Sequence, residues 1–202
     1  MLVFGTKGME KDRGRGVFHC PQCRLDRPYV HKELVRKGHV FFVPVVELGS
    51  VAEFVECQHC GSQFTMEVLN LPTQASMEQR LGITVRSAIA GMIRADSLET
   101  VAEKQAGRYV LQGLIGEAIS DSEQRADLDT SDPRAALSAL SDLAPNLTEQ
   151  GKVQILEACV VVAASDGQIG DAEIEVLTEF ADALGVPTQY LPGIVASAIG
   201  DS

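Results

Sequence analysis

The spacing of apolar positions divides this chain into two regimes. Up to about residue 70 the apolar residues fall in short β-branched and aromatic runs: Val17–His19, Arg27–Val35, Val40–Val46, Phe54–Glu56 and Ser62–Leu69. Such runs, bounded by turn residues, predict strands, with Lys37-Gly38 as a turn and Pro44 at a strand end or edge. The polar, Gly-rich stretch from Lys7 to Gly16 predicts a meandering lead-in. From about Gln74 the repeat becomes helical, after a hinge at Leu71-Pro72-Thr73. Ser76 with Gln79 predicts a capping box for a first helix running through Ala95. Leu98–Ile119 predicts a second helix, in which Gly107, Gly113 and Gly116 permit close packing. Polar Ser120–Asp132 predicts a loop. Asp132-Pro133 is an N-cap and N1 pair for a helix ending near Leu143. Thr148 caps Glu149–Ser165, which Asp166-Gly167 breaks. Gly170 or Asp171 caps a helix that Gly185 ends after Leu184, and Pro187 precedes a last helix to near Ile199. No apolar run is long enough to span a membrane, and the first residues lack the apolar core and cleavage site of a leader, so a cytoplasmic protein is expected.

Charge follows the same division. Residues 1–70 hold 9 Lys and Arg against 8 Asp and Glu, whereas residues 71–202 hold 8 against 20. Within residues 1–46 the ratio is 9 to 4. A net charge of −11 argues against general nucleic-acid binding by the whole chain. The basic residues Lys7, Lys11, Arg13, Arg15, Arg24, Arg27, Lys32, Arg36 and Lys37 leave nucleic acid open as a partner of the first part, through residues 7–37. A protein partner is expected for the acidic remainder; the alternative reading of both charge distributions is solvated faces without a partner.

The most specific chemistry lies in Cys20-Pro-Gln-Cys23 and Cys57-Gln-His-Cys60, two C-x2-C pairs separated by 33 residues. Two residues between thiolates let both sulfurs of one turn reach one ion, and two such turns complete a tetrahedral Zn²⁺ shell. Disulfides are the competing reading, disfavoured in a reducing compartment; a C-x-x-C redox motif would need a βαβ setting. Four protein ligands leave no open position, so the zinc is expected to be structural rather than catalytic. Gly61 suits the turn after the second pair. The fifth cysteine, Cys159, lies in an apolar helix and reads as core. Together with Arg27-Pro28-Tyr29, Phe41-Phe42-Val43-Pro44, Glu53-Phe54-Val55-Glu56 and Phe64, the cysteine pairs resemble a bacterial zinc-ribbon family over about residues 1–69. The resemblance implies a rubredoxin-like ribbon; it does not imply a substrate.

The helical part carries a weak internal repeat at an offset of 70 residues: Ala95-Asp96 with Ser165-Asp166, Ala102-Glu103 with Ala172-Glu173, Ala88 with Ala158 and Leu114 with Leu184. Each half has a small-residue helix, an Asp at its end and a Glu near the start of the next helix. Asp at a helix C-terminus is unfavourable unless compensated, and a cation would compensate; Asp166-Gly167 as a turn and Glu173 as a helix cap are the alternative. An EF-hand register is rejected because Val162 and Ala164 would fall at ligand positions. The segment Ser165-Asp166-Gly167-x-Ile169-x-x-x-Glu173, with the later Ala183-Leu184-Gly185-Val186, resembles the TerB-like tellurite-resistance domain, over about residues 80–200 with the repeat. That resemblance implies an all-helical, pseudo-symmetric, non-enzymatic domain linked to stress response and to divalent-metal binding by clustered acidic residues. Here these would be Asp96, Glu103, Asp166 and Glu173, although Ser97 stands where the second half has Gly167.

The chain is therefore expected to be α+β by domains: a zinc ribbon at 1–70, a linker at 71–78 and a TerB-like helical domain at 79–202. All four histidines lie between positions 19 and 59, so the helical part lacks a nucleophile–His pair. No phosphate-cradling Gly-rich loop occurs. No enzyme activity is expected; a hydrolase would need an open metal site in the acidic cluster.

Overall fold

The computed structural model describes the backbone of residues 4–40, 43–96, 98–116 and 118–200, and their side chains except at 4–8, 37–40, 43–48 and 133. The chain forms two compact units, Met1–Glu78 and Gln79–Ser202.

The first unit is an antiparallel sheet in the order β1-β2-β3-β4, made of β1 (Phe4–Cys20), β2 (Leu25–Val40), β3 (Val43–Cys57) and β4 (Gln63–Phe64). The strands are much longer than the sequence pattern predicts. The lead-in Lys7–Gly16 is not a meander but part of β1, and Lys37-Gly38 is not a turn but part of β2, where Lys37 pairs with Lys7 and Glu47. Phe41 and Phe42 lie outside the described residues. Pro44 is the second residue of β3, where β4, which pairs only with Val55 and Glu56, does not reach. Ser62–Leu69 yields two strand residues, then a 3₁₀ turn at Met66–Asn70.

Cross-strand charge pairing accounts for the polar strands. The Lys32 ammonium on β2 bonds Glu10 of β1 at 3.0 Å and Glu56 of β3 at 2.9 Å. Those contacts raise the lysine's pKa and lower that of Glu56. Arg13 occupies a bulge between Asp12 and Gly14 and pairs with buried Glu33, whose carboxyl it holds below the usual range. The apolar core is small: Phe18, Cys20, Val55, Cys57 and Val68, with Phe18 set edge-on to Tyr29 and Phe64.

The second unit is helical. Its elements are α1 (Gln74–Ile93), α2 (Val101–Ile115), α3 (Asp121–Thr130), α4 (Pro133–Leu143), α5 (Glu149–Ala163), α6 (Asp171–Leu184) and α7 (Leu191–Gly200). The residues 71–78 hold Leu71–Thr73 and the first five residues of α1. Thr73, not Ser76, caps α1: its hydroxyl accepts from the Ser76 N–H at 3.2 Å. The expected loop Ser120–Asp132 contains α3, started by a capping box between Ser120 and Glu123. Asp132, Thr148 and Gly170 hold the N-cap positions of α4, α5 and α6, and Gly185 ends α6 at φ 70°. Leu98–Thr100 precede α2 rather than belonging to it, and Gly116, at φ 75°, ends it.

Helix α5 is the apolar centre. It buries Ile155, Leu156, Ala158, Cys159, Val160, Val162 and Ala163 and packs on α2, α6 and α7, while α4 packs on α6. Phe180 and Leu184 of α6 and Ile89, Met92 and Ile93 of α1 complete the same core. Burial of Val162 agrees with the rejection of an EF-hand there.

Candidate metal centre

Each cysteine pair is held by one tight backbone turn, and the two turns share a construction. After Cys23, the Arg24 N–H donates to the Cys20 carbonyl at 2.7 Å; after Cys60, the Gly61 N–H donates to the Cys57 carbonyl at 2.9 Å. Both residues are left-handed, Arg24 at φ 54° and Gly61 at φ 71°. The conformation turns the chain back so that both sulfurs of a pair face the same way. The second turn is further tied by the Cys57 N–H donating to the Ser62 carbonyl and the Gln58 N–H to that of Pro28, each at 3.0 Å.

These turns bring four sulfurs together. The ligand atoms of Cys20, Cys23, Cys57 and Cys60 all lie within 4.8 Å of one another, and Cys20 Sγ is 3.8 Å from Cys60 Sγ. A tetrahedron with Zn–S arms of about 2.3 Å has edges of about 3.8 Å, so the donor set fits Zn²⁺. The sulfurs are free thiols and not disulfides, for which the separation would be about 2.05 Å. Their proton affinities diverge. Desolvation raises Cys20 and Cys23, whereas the Ser62 hydroxyl and N–H pull Cys60 down to about 6. A thiolate forms more readily at Cys60 than at Cys20 or Cys23, and a metal would bind the deprotonated set. His19 and His59 are not in the cluster; the His19 ring lies 3.2 Å from Asp26, and Asp26 also accepts the Gln74 N–H at 2.7 Å. Nothing in the local sequence pattern marked that tie.

The four acidic candidates lie in the helical unit. Glu103 and Glu173 are 1% and 4% exposed, and each accepts from the N–H of the residue before its helix, Thr100 and Gly170, at 2.6 Å. At α2 the box is reciprocal, with the Thr100 hydroxyl accepting from the Glu103 N–H; at α6, Gly170 has no side chain and only the Glu173 half exists. Asp96 and Asp166 are exposed. Asp96 accepts from the Leu98 N–H at 2.9 Å, one compensation for its place after α1. Ser97 lies outside the described residues. The other three carboxylates act on Glu173: burial first, then the charges of Asp166, Glu103 and Asp96, raise its pKa against the lowering bond from Gly170. Among the described residues, however, only the cysteines bring three or more ligand atoms within 4.8 Å. A separate cleft of about 380 Å³ between α2 and α3 is lined by Lys104, Arg108 and Asp121, where Arg108 is already paired with Asp121 at 2.8 Å and Lys104 with Glu99 at 2.8 Å.

Of the basic residues in the sheet, Arg13, Arg15 and Lys32 are in ion pairs, while the side chains of Lys7 and Lys37 lie outside the described set. Cys159 is fully buried, and burial pushes its thiol up to about 12, as expected of a core residue. No helix among the described residues is long and apolar enough to cross a membrane.

No curated protein and no solved structure matches this chain. A family model, described as tellurite resistance protein TerB, matches residues 83–192, more than half of the 202 residues and within the helical unit. The chain thus carries a four-cysteine antiparallel sheet consistent with a zinc ribbon, and through its helical domain it belongs to the TerB tellurite-resistance family.

Proposed function

We propose that this chain is a non-enzymatic, zinc-binding interaction protein of a bacterial cytoplasmic stress response. The ribbon serves as a docking module, and the acidic helical domain binds a partner or a divalent cation. The observation that carries the zinc assignment is the 3.8 Å approach of Cys20 to Cys60 within a four-sulfur cluster, the edge of a zinc–thiolate tetrahedron. Four thiolates fill that ion's shell, which leaves it structural and supports a role in interaction rather than catalysis. Glu103 and Glu173, supported by Asp96 and Asp166, are the residues for a second cation. Their mutual repulsion and burial are what a divalent ion would relieve.

The second reading is a nucleic-acid-associated regulator that uses the basic sheet. It has weaker support, because Arg13, Arg15 and Lys32 are engaged by carboxylates.

Metal analysis of the full chain, purified under reducing conditions, tests the proposal. One zinc per chain, lost in Cys60→Ser, is the expected result; no zinc would overturn it. A second divalent ion lost in Glu173→Gln would assign the acidic cluster to cation binding, and its absence would leave the helical domain to a partner. Salt-dependent binding of the full chain to duplex DNA would favour the second reading.

A further inference from the structure

From Val153 to Ser202 the sequence contains eight Asp and Glu and no Lys or Arg. On this anionic segment the structure leaves an apolar slot open. Ile169, Ile174, Leu177, Leu191, Pro192 and Val195 line a cavity of about 260 Å³ between α6 and α7. Ile174 is 51% exposed, and Tyr190 and Ile199, at either end of the α7 segment, are 56% and 48% exposed. Leu191, Val195 and Ile199 recur every fourth residue, a single stripe of a helix without one charged residue.

The slot is smaller than the about 300–1000 Å³ of small-ligand sites and has no polar lining residue to orient such a ligand. A groove of this kind receives apolar side chains presented at helical spacing. Charge selects the occupant. Asp171 and Glu175 flank Ile174 in α6 and are exposed, and no cation in the segment offsets them. An anionic membrane surface would be repelled. A second copy docking by the same face would oppose two carboxylate-rich surfaces.

We propose that the α6–α7 slot docks a cationic amphipathic helix of a protein partner. Its apolar side chains enter between Ile174 and Val195, and its Lys and Arg meet Asp171 and Glu175. This rests on the reading of the helical domain as an interaction module and names the chemistry of the partner.

The test titrates the zinc-loaded full chain into a fluorescent synthetic helix with Leu along one face and Lys on the other. A version with Glu for every Lys and a Lys/Leu version with the apolar stripe scrambled are run beside it. The expected result is saturable binding of the amphipathic Lys helix alone, weakened about tenfold or more by Val195→Asp and by Ile174→Asp. Asp171→Asn with Glu175→Gln should weaken it less and flatten its salt dependence. Ile174 is half exposed, so its variant keeps the helical circular dichroism and the measurement valid. Equal binding by the variants or by the scrambled helix would overturn the proposal as unspecific charge attraction. Dimers in light scattering that Ile174→Asp dissociates would overturn it in favour of a second copy. One zinc per chain without peptide binding removes the slot and leaves the zinc reading intact, whereas peptide binding by a zinc-free protein does the reverse.

Discussion

Glu103 and Glu173 stand 70 residues apart in sequence at the third position of α2 and α6, and each turns its carboxylate back 2.6 Å onto the N–H at its own helix start. The internal repeat is therefore a repeat of capping chemistry. The helices obey the same offset: α1 ends at Ile93 and α5 at Ala163, α2 begins at Val101 and α6 at Asp171. Helix-end chemistry holds both Glu side chains buried, and at Glu173 burial makes the charge costly.

That cost predicts a pH dependence. The folded pKa of Glu173 is raised, chiefly by desolvation, so the native state binds its proton more tightly than the unfolded chain. The stability linked to that proton is complete below the ordinary carboxylate pKa and is lost as pH rises through the folded value. Glu173→Gln keeps an oxygen to accept from Gly170 and removes the charge. In thermal melts from about pH 4, near the ordinary carboxylate pKa, to neutral pH, the variant should match the wild type at the acid end and exceed it at the neutral end. Calcium or magnesium that closes this gap by stabilising only the wild type would mark the cluster as a cation site.

The two cysteine turns predict opposite effects of glycine. Both need a left-handed residue, which costs a non-glycine about 1–2 kcal/mol; Gly61 meets the need and Arg24 does not. Gly61→Ala should therefore weaken the folded, metal-bound ribbon by about 1 kcal/mol. Arg24→Gly should strengthen it by somewhat less, because glycine also loses more chain entropy on folding. Competition with a chromophoric chelator reads both, since on the zinc reading ribbon folding and metal binding are one equilibrium.

The parts of the structure legible in the sequence are those set by local spacing: the cysteine turns, the Asp132-Pro133, Thr148 and Gly185 helix ends, and the Asp–Glu repeat. What escaped depends on partners distant in sequence. The extent of β1 and β2 rests on Lys32 bridging Glu10 and Glu56 across three strands, a relation that exists only once the register is known. Helix α3 was hidden because it buries only Gln124 and Leu128, too little to show an apolar period. Its hold on α1 is the bidentate Arg86–Asp127 pair, at 2.8 and 2.9 Å. The local signal for it is Ser120 three residues before Glu123, the pair that forms its capping box.

The glycines of α2 do not share one role, and substitution should separate them. A Cβ at Gly107 would come within 3.1 Å of Ile89 and Ile93 and 3.2 Å of Gln124, whereas one at Gly113 would meet nothing within 4 Å. Alanine gains about 1 kcal/mol of helix propensity at either site. At Gly107 that gain is outweighed by overpacking of about 1–3 kcal/mol. Urea titrations should show Gly113→Ala stabilised by up to about 1 kcal/mol and Gly107→Ala destabilised by a similar amount. A stabilised Gly107→Ala would mean that α1 yields more easily than its packing indicates.

Zinc removal should act on the sheet and spare the helices. Two of the five buried residues in the ribbon core, Cys20 and Cys57, belong to the four-sulfur cluster, so on the zinc reading the domain without the ion would lose both a crosslink and the reason for burying those thiols. Cys159 differs: it is fully buried in the helical core with its thiol pushed up to about 12, which makes it unreactive while that core stands. A colorimetric thiol reagent should find few reactive cysteines in the zinc-loaded chain and the four ribbon cysteines after a chelator is added, with helical circular dichroism retained. The fifth should react only when denaturant melts the helices. Four reactive thiols before any chelator would show that no metal holds the cluster, and reaction of Cys159 together with the other four would show that the helical core does not outlast the ribbon.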